Sequence, residues 1–212
     1  MGNLVESIAR ICIELSSGDL ETAARIADQE LATPSGLKYH RRYTPKEETR
    51  LFLRDGFIDR FSGDRLVFPP VLFLVSLHLK TQFPYHSDLQ PPGCHPMYWD
   101  LKPTIVQVAP DTQGHLPRPT DPNWITTSIR RAAIKGNQAA QTLGWALFPP
   151  GNAAKWDGLL PWFMEFAEKT NEFKSQDFLQ RVGIERDARK VDLVHEMFES
   201  WYRAADETKS AV

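Results

Sequence analysis

Proline restricts what the middle of this chain can form. Nine of the 16 prolines lie between Thr81 and Pro122. Because proline lacks a backbone N–H and clashes with the preceding turn of a helix, such a stretch forms loops and short strands. Its best strand candidate is Thr104 to Ala109. We therefore expect an irregular middle that contains a short strand and has helices on both sides.

Helical periodicity marks the two ends of the chain. Apolar residues at helical spacing predict a helix from Leu4 to Leu15, and a second helix is expected from Asp19 to Glu30. Near the C-terminus, the pattern predicts helices over Leu159 to Phe173 and Lys190 to Ala205. The first two would form a helical hairpin.

Further elements lie on either side of the proline-rich stretch. Thr44-Pro45-Lys46-Glu47 indicates a helix start with a capping box, and that helix should end near Gly56. A short hairpin is expected from Phe57 to Phe68, followed by a helix from Pro69 to about Lys80. Thr126 to Leu143 is predicted to be helical, with Gly144 as its stop.

Composition and charge exclude several classes of protein. The net charge is -2 and the pI is about 6.3, so the basic excess typical of nucleic-acid binders is absent, although a local basic patch is compatible with both values. Two cysteines cannot form a four-cysteine zinc site. The longest apolar run, Val71 to Val75, is too short for a bilayer, and no signal peptide is evident. We expect a cytoplasmic protein with no membrane partner.

Several long motifs occur in a fixed order along the chain. They are Arg54-Asp55-Gly56-Phe57-Ile58-Asp59-Arg60-Phe61-Ser62-Gly63-Asp64-Arg65-Leu66-Val67-Phe68, Phe83-Pro84-Tyr85-His86, Cys94-His95-Pro96-Met97-Tyr98-Trp99, Asn123-Trp124-Ile125-Thr126-Thr127-Ser128, Leu143-Gly144-Trp145, Pro149-Pro150-Gly151 and Trp156-Asp157-Gly158-Leu159. With these motifs the chain resembles a group of bacterial HNH endonuclease homologues, over roughly residues 41 to 166.

The resemblance implies a ββα-metal site. In such a site a strand supplies an Asp-His pair, a loop supplies an Asn, and the following helix supplies an Asn or His. The Asp and the helix residue hold a divalent metal, typically Mg²⁺, while the His deprotonates the attacking water and the Asn orients the His. The metal stabilises charge on the phosphate, and a neutral imidazole accepts a proton near pH 7.

This sequence departs from the family pattern at both metal ligands and at the general base. Val106-Gln107 stands where the family has Asp-His, Ala132 replaces the helix ligand, and Gln113 replaces a loop Arg. Glutamine cannot accept a proton at neutral pH, and valine and alanine offer a cation no ligand atoms. Since a general base alone contributes roughly 10²–10⁴-fold in rate, the joint loss predicts no HNH-type cleavage and no metal or other cofactor.

Some polar residues of the family pattern are retained. They are Asn123, Arg131, Lys135 and Asn137. Each also has a structural interpretation, because an Asn can pin a loop and an i,i+4 basic pair is typical of a solvated helix surface.

Other polar residues are candidates outside that pattern. Asp111 and His115 can transfer protons but lie in a loop whose composition favours simple solvation. His86 and His95 match the family outside the metal motif, and a structural role is favoured for both.

Together these patterns predict an α+β, mostly helical fold. We expect an N-terminal helical hairpin over residues 1–40, an HNH-like ββα-metal core over 41–158 and C-terminal helices over 159–212, in one compact unit. The oligomeric state is not predicted.

Three functions fit the sequence. The favoured one is a metal-free cleft that binds or transforms an organic small molecule. Its candidate catalytic residues are Gln107, Asn123, Asp111 and His115, and its candidate ligand-binding residues are Val106, Ala132, Arg131, Lys135, Asn137 and His95. The second is a nucleic-acid-binding pseudonuclease or regulatory partner of an active homologue, and Arg130 adds to its basic set. The third is a metal nuclease with substitute ligands such as Asp111, His115 or His95. The low net charge and the lost loop Arg favour the first.

Overall fold

The computed structural model describes residues 4–30, 43–86, 89, 93–110, 118–170 and 188–209. Within these residues there are eight helices and two strands. In chain order they are α1 (Leu4–Ser17), α2 (Leu20–Glu30), α3 (Pro45–Arg54), α4 (Pro69–His78), α5 (Tyr98–Leu101), β1 (Pro103–Gln107), β2 (Trp124–Ser128), α6 (Ile129–Lys135), α7 (Leu160–Thr170) and α8 (Ala188–Lys209). About half of the described chain is helical, and the expected α+β class is confirmed.

One cluster of buried apolar side chains draws on all three predicted segments. It includes Ile8 of α1, Phe52 of α3 and Trp201 of α8. The ring of Trp201 meets Phe68 edge-on, with centroids 5.4 Å apart, and Phe68 meets Phe57 in the same way at 6.0 Å. Edge-to-face pairs of this kind are favourable beyond the area they bury. The C-terminal helix therefore shares its core with the middle of the chain.

The predicted capping box of α3 is confirmed. The Thr44 hydroxyl accepts a hydrogen bond from the Glu47 amide at 3.3 Å, and the Glu47 carboxylate accepts one from the Thr44 amide at 2.8 Å. Pro45 occupies the first turn, where a missing N–H costs nothing. This helix ends at Arg54, two residues before the expected stop.

Helix α4 crosses the centre of the core. Every side chain from Pro69 to Ser76 is buried, because neighbouring elements cover the helix on all sides. With ten residues, α4 is about 15 Å long. No helix in the described part of the chain is both long and apolar enough to cross a membrane.

The prediction of a helix from Thr126 to Leu143 is wrong at both ends. Residues 124–128 form β2, which pairs antiparallel with β1 from Pro103↔Ser128 to Gln107↔Trp124. The helix that follows, α6, has only seven residues and is succeeded by Gly136 at φ +52°. β2 is rich in β-branched and aromatic residues, which favour strands, and Ser128 caps the helix by accepting a hydrogen bond from the Arg131 amide.

The expected hairpin from Phe57 to Phe68 contains a single bridge. Ile58 pairs with Arg65, and the Leu66 amide donates to the Phe57 carbonyl at 2.8 Å. The hairpin ladder does not extend through Arg60. The amide of Arg60 instead donates to the Thr126 carbonyl of β2 at 3.0 Å. The hairpin therefore lies against the outer edge of β2.

Candidate functional site

Val106 and Gln107, the residues that the resemblance aligns with an Asp-His pair, point to opposite faces of the sheet. Successive side chains alternate along a strand, and directly paired residues share a face. Val106 pairs with Ile125, and Gln107 pairs with Trp124. Gln107 therefore lies on the face of Ile105 and Trp124, both of which belong to the main core. Val106 and Gln107 do not converge on one cleft.

Val106 packs in a small apolar cluster of its own. The fully buried members of this cluster are Phe61, Ile125 and Ala140, and the partly buried ones are Val106, Val108 and Trp145. The rings of Phe61 and Trp145 lie 5.0 Å apart. Protein side chains thus contact the face on which a metal ligand would stand in the family pattern. We call this group the Val106 cluster.

Helix α6, on which the resemblance predicts a second lost ligand, is also closely packed. Ala132 is buried, as is Ile129 one turn earlier. Arg131, next to Ala132, places its guanidinium 5.5 Å from the centre of the Trp145 ring. At this distance the cation is attracted to the face of the ring. The structure therefore brings Arg131 and Val106 to the same aromatic cluster.

The other basic residues of α6 have partners within the protein. Arg130 forms a salt bridge with Asp100 of α5. Lys135 is buried, its Nζ donates to the Gln138 carbonyl at 2.6 Å, and burial lowers the pKa of its ammonium group. Asn137 is exposed just beyond the helix. The sequence interpretation of Lys135 as a solvated surface residue is wrong, because the chain turns back over it after Gly136.

Asn123 closes the base of the loop between the strands. Its Oδ1 accepts from the Ala109 amide and its Nδ2 donates to the Ala109 carbonyl, both at 2.9 Å. Its own carbonyl accepts from the Val108 amide at 2.7 Å. Both ends of the side-chain amide are therefore used, which is the loop-pinning role that the sequence left open as an alternative.

Two buried carboxylates that sequence reasoning missed hold the edge of β2. Asp55 accepts from the Thr126 amide at 2.7 Å, and Asp59 accepts from the Ser128 amide at 2.8 Å. Asp59 also accepts from the Thr127 hydroxyl at 3.0 Å. Their carboxylates thus take the place of carbonyl groups that a third strand would offer.

Asp55 is further enclosed by two arginines. Arg54 donates to both of its oxygens, at 2.9 and 3.0 Å, and Arg60 donates to Oδ1 at 3.0 Å. The Arg54 guanidinium also donates to the carbonyls of Pro119 and Asp121 in the chain that leads into β2. In the sequence, the one sign of these roles is that Asp55 follows Arg54 and Asp59 precedes Arg60. All four residues belong to the first motif that carries the resemblance.

His95 and His86, the remaining candidates that the structure describes, do not extend this site. The His95 ring is buried, its Nδ1 accepts from the Met97 amide at 3.2 Å, and it lies 4.8 Å from the Phe83 ring. His86 is exposed, while Asp111, Gln113 and His115 lie outside the described residues. Among the residues that are described, no three His, Cys, Asp or Glu side chains are grouped so that they could hold a metal ion.

Comparison with known proteins does not add a relative. No protein-family model, no curated protein and no solved structure matches this chain.

Proposed function

We propose that this protein is a non-cleaving member of the HNH-like scaffold class, a pseudonuclease whose ββα unit is β1, β2 and α6. The chain order β1, β2, α6, the antiparallel pairing of the strands and the start of α6 directly after β2 support the scaffold assignment. The observation that carries the loss of activity is the position of Val106. Where a metal-binding carboxylate would stand, an apolar side chain packs against the cluster of Phe61, Ile125 and Ala140.

Metal binding beside Val106 is energetically unfavourable. A divalent cation gives up hydration only when oxygen or nitrogen ligands replace the lost water. The Val106 cluster contributes hydrocarbon and aromatic surface, and Ala132 adds a methyl group. Charge brought into such surroundings without ligands is strongly unfavourable. Gln107 cannot accept a proton from an attacking water at neutral pH.

The decisive experiment is a nicking assay on supercoiled plasmid with Mg²⁺, Mn²⁺ or Zn²⁺, each with and without EDTA. We expect no EDTA-sensitive product from the wild-type chain. The matched control is a variant with Asp111→Ala, His115→Ala and His95→Ala, prepared in the same way. EDTA-sensitive nicking that is present in the wild type and lost in this variant would instead establish a metal nuclease with substitute ligands.

The packing also bears on where a binding function would reside. An organic ligand between Val106 and Ala132 stays a prediction, but the packing of Val106 against the cluster of Phe61, Ile125 and Ala140 favours a binding site elsewhere on the molecule. Nucleic-acid binding through α6 is disfavoured because Arg130 is neutralised by Asp100 and Lys135 is buried.

Low-salt titration with duplex DNA tests the nucleic-acid alternative. We expect no salt-dependent complex. A complex that weakens in Arg131→Ala, but not in the exposed-lysine control Lys155→Ala, would reinstate α6 as a nucleic-acid surface.

A further inference from the structure

A cleft that shares no residue with the Val106 cluster contains two ion pairs. It lies between the start of α3 and the C-terminal half of α8 and has a volume of about 360 Å³. Ligand sites commonly have volumes of ~300–1,000 Å³. Its lining residues are Thr44, Pro45, Lys46, Glu199, Ser200, Arg203, Ala204 and Glu207.

The charges of the cleft are balanced and paired. Lys46 of α3 forms a salt bridge with Glu207 of α8, and Arg203 pairs with Glu199 at 2.8 Å one turn away. One ion pair therefore joins the two walls of the cleft, and the other lies within the α8 wall. Lys46, together with Arg50, lowers the pKa of the Glu207 carboxyl, so this group is ionised at neutral pH.

The surfaces between these ion pairs are small and mixed. Pro45 and Ala204 contribute apolar contacts, whereas Thr44 and Ser200 carry hydroxyl groups. Neither a purely anionic nor a purely cationic ligand matches such a lining, since either would face as much repulsion as attraction. A molecule with one ammonium and one carboxylate group can meet both members of an ion pair at once.

We propose that this cleft binds a small zwitterion with a short apolar side chain, an α-amino acid or a short peptide. Its carboxylate contacts Lys46 or Arg203 and its ammonium contacts Glu199 or Glu207. The proposal is independent of the pseudonuclease assignment, because none of these residues belongs to the ββα unit. The ligand is held without covalent chemistry.

The test is a titration followed by amide NMR shifts of the full chain. L-Valine is compared with 3-methylbutanoate and with 2-methylpropylamine, which keep the side chain but each lack one charge, and with valyl-valine as the peptide source. We expect saturable shifts confined to 44–47 and 199–207 for valine or the dipeptide, and binding of the single-charge probes that is weaker by up to about fivefold. Whichever zwitterion binds more tightly identifies the source.

Charge-removing variants complete the test. We expect Arg203→Gln and Glu207→Gln each to weaken binding of the zwitterion by up to about fivefold, because each removes one exposed charge contact. Lys155→Gln, which removes an exposed cation outside the cleft, serves as the matched control and should leave binding unchanged. Shifts that do not saturate, or equal binding of a single-charge probe, would overturn the proposal.

Discussion

The hydroxyl of Thr127 donates to Asp59, whereas the hydroxyl of its neighbour Thr126 is buried without a hydrogen-bond partner among the described residues. Both side chains are fully buried on β2, and they point to opposite faces of the sheet. This difference predicts opposite effects for the same substitution. Thr127→Val should lower the free energy of unfolding by about 1–3 kcal/mol, because it removes a bond to a buried carboxylate. Thr126→Val should be neutral or stabilising, because it removes an unmet polar group.

Urea denaturation of the two variants and the wild type checks this prediction. The adjacent positions serve as controls for each other, since both exchange a hydroxyl for a methyl group. Equal losses of stability would contradict it and would indicate that a buried water satisfies Thr126.

The enclosure of Asp55 predicts a large effect of its removal. Asp55→Ala leaves Arg54 and Arg60 without their shared carboxylate and the Thr126 amide without its acceptor. Breaking a buried ion pair from one side costs about 3–5 kcal/mol. The midpoint of chemical denaturation should fall accordingly, while Asp64→Ala, at an exposed aspartate of the same motif, should leave it unchanged. A small effect of Asp55→Ala would mean that solvent reaches the two guanidinium groups.

Two glycines with nearly equal φ angles allow the cost of a left-handed conformation to be measured separately from the cost of a steric clash. Gly56 and Gly144 have φ of +64° and +67°. A Cβ on Gly144 meets nothing within 4 Å, whereas one on Gly56 would lie 2.7 Å from the backbone of Gly151. Gly144→Ala should therefore cost about 1–2 kcal/mol, the cost of a left-handed conformation alone.

Gly56→Ala should lower the melting temperature clearly more than Gly144→Ala does. The excess arises because two backbone segments must separate to admit the methyl group. Similar melting temperatures for the two variants would show that the contact between Gly56 and Gly151 yields easily.

Burial of Lys135 predicts that the free energy of unfolding changes with pH in the alkaline range. The pKa of its ammonium group is lowered in the folded state, so the folded protein releases the ammonium proton at a lower pH than the unfolded chain does. Between the lowered pKa and the unfolded value of about 10.4, the unfolded chain binds more protons, and stability therefore rises with pH. Wild type should gain stability relative to Lys135→Met across this window.

Denaturation curves at several alkaline pH values measure that gain. Lys155→Met, at an exposed lysine, should show no comparable change relative to the wild type. A constant difference between wild type and Lys135→Met at all pH values would contradict the predicted direction.

Features set by neighbouring residues could be predicted from the sequence. The capping box of α3 lies within Thr44 to Glu47, so its hydrogen bonds follow from four residues alone. The helix spacing of α1 and α2 is local in the same sense. The helix predicted from Thr126 failed because the pairing partner of that residue, Ile105, lies twenty-one positions earlier in the sequence.

Contacts at the candidate site are even less predictable from the sequence, because they join distant segments of the chain. The resemblance predicted Val106 to be the position of a lost ligand, but the cluster that Val106 packs against, which includes Phe61 and Ala140, depends on segments far away in the chain. The bond from Asp55 to Thr126 spans 71 positions. No local sequence pattern predicts a hydrogen-bond partner at that distance. A buried acid in a motif is therefore easily overlooked or mistaken for a catalytic group.

The two hydrogen bonds between Asn123 and Ala109 form a neck at the base of the inter-strand loop. Because this neck holds the ends of β1 and β2 at a fixed separation, a change in the length of the loop does not alter the alignment of the strands. Residues can be gained or lost between Pro110 and Arg118 without shifting the pairing of β1 with β2, and doubling the loop adds only about 0.6 kcal/mol of closure entropy. Evolution could thus vary this segment freely, which makes it the natural place for related chains to differ in length.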